Sequence, residues 1–272
     1  ISSNFYSAIS GAWRQSSRRR NSDRSVKELP VRNRKLKNIP LKNLIPNMIT
    51  SGSVFCGMSS LIMTYHGHLL PAAILICFAV FFDVMDGRVA RSLGGSSAFG
   101  EELDSLADAI SFGVAPAFLM YVAYSGIQAG IFGALSTSFF VLCGVLRLAR
   151  FNITIAAEGA FQGLPIPAAG LTLASFVIAK IEITSFFAMT AMIMVGVLMV
   201  SSVPYWNAKK LTKDNINKMK LYFLVGFVII SFFLLRERAF LFIALLYIAM
   251  GLLRFDCAEW ILINDTTAQE KK

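Results

Sequence analysis

The chain has 272 residues, of which 56% are hydrophobic and only 15% charged, and its formal net charge is +10. Soluble domains carry about 45–50% apolar and about 25% charged residues, so this composition excludes an ordinary soluble fold and also a disordered chain. The long apolar segments do not alternate with period two, which excludes a β-barrel and leaves helices as the membrane-spanning elements. The sequence therefore predicts an all-α polytopic membrane protein.

The first 43 residues form a polar, basic segment. They contain eleven of the 26 Lys and Arg residues against Asp23 and Glu28, a net charge of +9. In a soluble protein such a segment would favour nucleic-acid binding, but in front of an apolar helix it predicts contact with anionic lipid at the cytoplasmic face. We therefore expect membrane lipids, and no nucleic acid, among its partners.

Eight apolar segments follow, each long enough for a helix. They are predicted at 44–64, 69–90, 103–124, 127–149, 164–181, 184–204, 219–235 and 239–255. Residues 44–256 then form one transmembrane domain, and 257–272 form a C-terminal tail. If both termini and the loops near 91–103, 150–163 and 205–218 share one side, that side holds 23 of the 26 Lys and Arg residues. The positive-inside rule predicts that this side is cytoplasmic, with the chain in the cell (inner) membrane.

The second and third helices each present acidic and small residues on one face. At helical spacing these residues are Asp83, Asp86, Gly87 and Ala90 on the second helix, followed by Arg91, and Gly100, Asp104 and Asp108 on the third. The short connection makes the two helices antiparallel neighbours, so the two faces are expected to meet. Carboxylates within a membrane are costly and indicate a functional site.

Four crowded carboxylates need a compensating cation. Hard oxygen ligands favour Mg²⁺ or Mn²⁺, and phosphate oxygens commonly complete the coordination of such ions. An ion-pair network with Arg88 and Arg91 is the structural alternative, but it does not account for the small residues interleaved with the acids. A cation-binding transporter is a second alternative, although transporters often contain repeats and this sequence has no second copy of the acidic hairpin.

The acidic hairpin resembles a known family. Its sequence contains the run Asp83-Val-Met-Asp86-Gly87-Arg-Val-Ala90-Arg91, followed at fixed spacing by Gly100, Asp104 and Asp108. This pattern is similar to the signature of the CDP-alcohol phosphotransferases. The resemblance implies a six-helix catalytic core, usually homodimeric, that transfers a substituted phosphate from a CDP-linked donor to an alcohol. It also implies that the four aspartates hold two divalent metal ions, Mg²⁺ or Mn²⁺, and that Asp108 is the general base.

The flanking residues narrow the resemblance to one branch of that family. Three stretches are similar to the integral-membrane bacterial phosphatidylserine synthases. They are the run from Glu102 to Pro116, Arg147-Leu-Ala-Arg150-Phe-Asn and Gly163-Leu-Pro-Ile-Pro. This implies CDP-diacylglycerol and L-serine as substrates. Glycerol 3-phosphate, inositol and choline remain open as the acceptor.

The resemblance and the predicted depth in the membrane together give further candidate contacts. For CDP-diacylglycerol they are Asn47, Thr50, Gly87, Ala90, Arg91, Ser97 and Gly100. Arg147 and Arg150 are candidates for binding the serine carboxylate, because an Arg fork grips a carboxylate through two hydrogen bonds. Ordinary positive-inside anchoring is the alternative role for these two arginines.

Overall fold

The computed structural model describes residues 41–94, 97–124, 126–154, 163–203, 205 and 218–253. Most of the predicted basic segment 1–43, the loop residues 206–217 and the tail 257–272 lie outside these residues. The described chain forms eight helices: α1 Leu41–Tyr65, α2 Leu69–Ser92, α3 Ala98–Ala123, α4 Ile131–Thr154, α5 Ile166–Ile178, α6 Ser185–Val200, α7 Lys218–Leu235 and α8 Ala239–Leu252. The prediction of an all-helical fold is confirmed for the described residues, and each predicted segment overlaps one of these helices.

Several helix ends differ from the predicted ones for identifiable local reasons. Helix α3 begins at Ala98 rather than 103, because the Ser97 side chain caps it by accepting a hydrogen bond from the Gly100 amide at 3.1 Å. Helix α4 begins at Ile131 rather than 127, after Gly130 with φ +58°. Helix α5 is shorter than predicted because Pro165 precedes its first residue and Lys180, with φ 50°, cannot continue it.

Within the part of the chain that the structure describes, three helices are long and apolar enough to cross a membrane: α2, α3 and the stretch Ile131–Asn152 of α4. Helix α5 is the most buried element of the described chain, and ten of its thirteen residues are buried. Helix α7, by contrast, exposes large apolar side chains such as Phe223 and Phe233. Apolar side chains facing outward from an apolar helix are typical of contact with lipid, and the chain is a membrane protein.

Helix α3 changes its winding immediately after Asp108. Residues Ala109–Val114 form a π-helical turn, a rare element that is often found at functional sites. This turn packs closely on two neighbours. A Cβ at Gly57 of α1 would lie 2.8 Å from Ser111 Cα, and one at Gly170 of α5 would lie 2.9 Å from the Phe112 carbonyl oxygen. The Ser111 hydroxyl also donates to the carbonyl of Ser53 at 2.9 Å.

The turns meet in two groups, at opposite ends of the bundle. At one end the Tyr124 hydroxyl, just after α3, donates to the Ile181 carbonyl after α5 at 3.0 Å, and Lys180 pairs with Glu237 beyond α7 at 2.9 Å. We call this the opposite end. At the other, the Gly163 amide donates to the Val203 carbonyl at 2.9 Å, which joins the turns before α5 and after α6. We call this the aspartate end, since the acidic faces of α2 and α3 lie towards it.

Candidate active site

Three aspartates from two helices meet at the aspartate end. One carboxylate oxygen from each of Asp83, Asp104 and Asp108 lies within 4.8 Å of the other two. Asp83 comes from α2, whereas Asp104 and Asp108 are one turn apart on α3, so the predicted meeting of the two acidic faces is confirmed for these residues. Oxygen atoms this close can coordinate a common cation.

Asp86 lies one turn beyond Asp83 and is not part of this group of three. It is 6% exposed, and its Oδ2 atom is buried without a hydrogen-bond partner in the described chain. Thr50 on α1 lies beside Asp86, but the single proton of its hydroxyl is donated to the Pro46 carbonyl at 3.0 Å. A buried carboxylate oxygen without a partner is costly and is typical of a ligand-binding position.

The small residues leave room beside the acids. A Cβ at Gly87 would meet no atom within 4 Å, so open space adjoins the α2 backbone at that point. A Cβ at Gly100 would lie 3.0 Å from Asn47 Oδ1 and 3.3 Å from Ser97 Oγ, so α1 and the start of α3 are in close contact there. Asn47 and Ala90 are buried, and Arg91 is exposed. The structure thus brings Asn47, Ser97 and Gly100 together.

The two candidate arginines of α4 have different surroundings. Arg147 lies close enough to Asp108 for electrostatic interaction, and its Nε atom is buried without a hydrogen-bond partner among the described residues. Arg150 is exposed and donates to the carbonyl of Val200, the last residue of α6, at 3.4 Å. Arg147 thus lies towards the acidic cluster, and the hydrogen bond of Arg150 ties α4 to the end of α6.

Two tyrosines near the site were missed by sequence reasoning. Tyr205 is 6% exposed, and its ring centroid lies 5.6 Å from that of Tyr247 on α8. Tyr247 is also an electrostatic neighbour of Arg147. The only sequence signal was an aromatic residue directly after Pro204, and Tyr247 does not stand out within an apolar run.

The residues present fit divalent metal ions. The donor set consists of hard carboxylate oxygens, which Mg²⁺ and Mn²⁺ prefer. Asp83, Asp104 and Asp108 supply a close group of oxygens, and the unpartnered Oδ2 of Asp86 supplies a further one beside it. Four clustered acids without compensation would repel one another in a largely buried site.

Comparison with known proteins agrees with the signature at this site. Residues 43–201 match the family CDP-alcohol phosphatidyltransferase. The chain is 36% identical over 221 residues to a CDP-diacylglycerol–serine O-phosphatidyltransferase of Helicobacter pylori, covering 78% of this chain and 91% of that protein. It is 41% identical over 165 residues to an archaetidylserine synthase of Methanothermobacter thermautotrophicus, covering 59% of this chain and 69% of that protein. The chain belongs to the CDP-alcohol phosphatidyltransferase family.

A further relative and one solved structure extend the comparison. The chain is 36% identical over 181 residues to a CDP-diacylglycerol–serine O-phosphatidyltransferase of Bacillus subtilis, covering 64% of this chain and 96% of that protein. A phosphatidylinositol phosphate synthase of Mycobacterium tuberculosis, solved with CDP-DAG bound, has a TM-score of 0.45 and 21% identity, covering 58% of this chain and 80% of that chain.

Proposed function

We propose that this chain transfers the phosphatidyl group of CDP-diacylglycerol to L-serine, giving phosphatidylserine and CMP. The observation that carries the proposal is the match, over 91% of its length, to a relative named for this reaction, together with an intact family signature on α2 and α3. The cluster of Asp83, Asp104 and Asp108 supplies the chemistry that such a transfer needs.

Members of the family use divalent metals, and Asp83, Asp86, Asp104 and Asp108 are the residues that would hold two such ions here, Mg²⁺ or Mn²⁺. Bound there, the ions would neutralise the donor diphosphate and stabilise charge on the departing CMP. Residues holding such ions would place the donor diphosphate beside α2, where open space adjoins Gly87.

Asp108 is our candidate for the general base. It would accept the proton of the serine hydroxyl as that oxygen forms a bond to the phosphorus of the phosphatidyl group. The bond between this phosphorus and the bridging oxygen breaks in the same displacement, and CMP leaves with the bonding electrons. Arg147 lies near Asp108, so a carboxylate held by that arginine would bring the serine hydroxyl to the base.

The donor would be held by residues around the two helix ends. Asn47, Thr50 and Gly100 would face the cytidine and diphosphate, with Gly87 and Ala90 admitting the diphosphate to the backbone of α2. Arg91, exposed at the end of α2, has a guanidinium fork suited to phosphate. Ser97 already accepts a hydrogen bond from the Gly100 amide, but its hydroxyl proton can still be donated to a phosphate oxygen.

The acceptor is tested by measuring CMP release from CDP-diacylglycerol in detergent or vesicles. L-serine should give turnover, and glycerol 3-phosphate, inositol and choline should give far less. Turnover with one of these alcohols and none with serine would contradict the proposal while preserving the reaction type. CMP release with no acceptor preference would contradict a specific transferase.

We also propose that the aspartate end faces the cytoplasm in the inner membrane, and that the enzyme is a homodimer. Charge distribution supports the orientation, since the predicted topology assigns 23 of the 26 Lys and Arg residues to that side. With the four native cysteines replaced, a cysteine at Ser202 should be labelled only from the cytoplasm and one at His68 only from outside. Labelling of both from one side would contradict the topology, and a single protomer mass in mild detergent would contradict the dimer.

A further inference from the structure

Two buried polar atoms at the aspartate end are not explained by the metal site. The Nε atom of Arg147 and the hydroxyl of Tyr205 are both buried without a hydrogen-bond partner in the described chain. Both groups are donors, and a buried donor without an acceptor loses the hydrogen bonds that it makes in water. Two such donors at one place indicate a ligand that is anionic or that carries strong hydrogen-bond acceptors.

These two donors are joined by a third group. Tyr247 is an electrostatic neighbour of both Arg147 and Tyr205, and the two tyrosine rings lie 5.6 Å apart at 34°. The position of Tyr205 is set by α8, because a Cβ at Gly251 would lie 2.2 Å from Tyr205 Cε1. Only a glycine permits this contact, so the Tyr205 ring packs directly on the backbone of α8 at Gly251.

We infer that Arg147, Tyr205 and Tyr247 form one wall of the acceptor site and bind the carboxylate of an amino-acid acceptor. The wall combines one cationic donor with two phenol hydroxyls, a set that suits a carboxylate and gives a neutral alcohol no comparable partner. Its link to the acidic cluster is Arg147, which interacts electrostatically with Asp108. A serine whose carboxylate is held at this wall therefore presents its β-hydroxyl towards Asp108, the proposed base.

This inference deepens the proposed function and rests on it. It adds that acceptor choice depends on residues outside the region matched by the family, since that match ends at residue 201 whereas Tyr205 and Tyr247 follow it. The chemistry of the signature would then serve many acceptors, and Tyr205 and Tyr247 would select among them.

The test uses Tyr205→Phe and Tyr247→Phe, which remove one hydroxyl each and keep the ring. Tyr222→Phe is the matched control, because Tyr222 is 72% exposed on α7, remote in sequence from the signature. We expect the KM for serine to rise about tenfold or more in each variant at the wall, as for loss of a hydrogen bond to a charged group. The KM for CDP-diacylglycerol and the thermal unfolding temperature should match those of the control.

A second arm uses ethanolamine, which resembles serine without its carboxylate. The slow wild-type rate with ethanolamine should be unchanged in both variants, because no carboxylate is present to lose its partner. A rise in the KM for CDP-diacylglycerol alone would assign the wall to a donor phosphate and overturn the inference. Variants indistinguishable from Tyr222→Phe would also overturn it, leaving the proposed function intact. A wild-type chain that releases no CMP with serine would overturn both.

Discussion

The two ends of the helix bundle differ in whether their polar side chains have hydrogen-bond or ion-pair partners. At the opposite end, polar side chains have partners: Tyr124 donates to the Ile181 carbonyl, and Lys180 pairs with Glu237. At the aspartate end, buried polar atoms of Asp86, Arg147 and Tyr205 have none among the described residues, and these three are the only such side-chain atoms there. Paired polar groups stabilise a fold, whereas an unpaired buried polar atom requires an explanation such as a catalytic role or a bound ion or water. Function is therefore expected at one end only.

The sharpest test of this contrast removes charge at each end. Asp83→Asn or Asp104→Asn should abolish CMP release, because a neutral amide cannot compensate a divalent cation as a carboxylate does. A chelator should abolish it as well, and Mg²⁺ or Mn²⁺ should restore it. Turnover is measured with CDP-diacylglycerol and serine in excess.

Glu182→Gln is the matched control for these variants, since Glu182 is an exposed acid at the opposite end. It should retain wild-type turnover and metal dependence. Full activity of Asp83→Asn, or of thoroughly chelated wild-type enzyme, would contradict a metal site at the aspartates.

A second test separates the two arginines of α4. Arg147→Lys should raise the KM for serine about tenfold or more, because a lysine cannot reproduce a fork that grips a carboxylate, and a hydrogen bond to a charged group contributes about 1.5–3 kcal/mol. The KM for CDP-diacylglycerol should change much less. Steady-state kinetics with each substrate varied in turn give both values.

Arg150→Lys serves as the comparison within the same helix. Sequence reasoning grouped the two residues, but the hydrogen bond from Arg150 to the Val200 carbonyl favours a smaller effect for this variant. Equal losses in the two variants would restore the joint serine-binding role. A loss confined to Arg150→Lys would refute the separation drawn from the structure.

The third test probes how the π-helical turn is held. Gly57→Ala places a methyl group 2.8 Å from Ser111 Cα, so the backbone must shift. Overpacking of this kind costs about 1–3 kcal/mol, and we expect a lower unfolding temperature together with reduced turnover. Thermal unfolding in detergent measures the first quantity.

Gly226→Ala on α7 is the control, because a Cβ there meets no atom within 4 Å. It should leave both the unfolding temperature and turnover close to those of the wild type. A Gly57→Ala protein that is as stable and active as Gly226→Ala would show that the turn tolerates displacement.

The smallest effect is expected at the opposite end. Lys180 and Glu237 form an ion pair whose side chains are 59% and 57% exposed. Exposed pairs contribute at most about 1 kcal/mol, so Glu237→Gln should lower stability slightly and leave both KM values unchanged. A kinetic effect in this variant would contradict the assignment of function to one end of the bundle.

Sequence reasoning predicted the parts of the site that follow helical spacing. Residues three or four apart define one face of α2 and one face of α3, and a short turn joins the two helices. The two faces therefore meet, which brings together Asp83, Asp104 and Asp108. The helical nature and the order of the described elements followed from apolar segments and their breaks. Helix faces and helix boundaries depend on residues close in sequence, so they can be predicted from the spacing of apolar and polar residues.

The rest depends on contacts between distant segments. Arg147 and Tyr247 are a hundred residues apart, and nothing in the apolar run of α8 marks Tyr247 as the residue that reaches the site. The π-helical turn at Ala109–Val114 was also missed, because its sequence is compatible with an ordinary helix and its winding is determined by packing on Gly57 and Gly170.

That turn also separates two stretches of α3, one that carries the aspartates and one that packs against other helices. A π-helical turn has the register of an α-helix with one inserted residue, and each residue of an α-helix turns the chain by about 100°. Deleting one residue between Ala109 and Val114 would therefore restore α-helical winding and leave Asp104, Asp108 and the stretch Ala115–Ala123 on the faces that they have now. The extra residue thus alters only the backbone between the aspartates and the packing stretch of one continuous helix, at the place where α3 contacts Gly57 and Gly170.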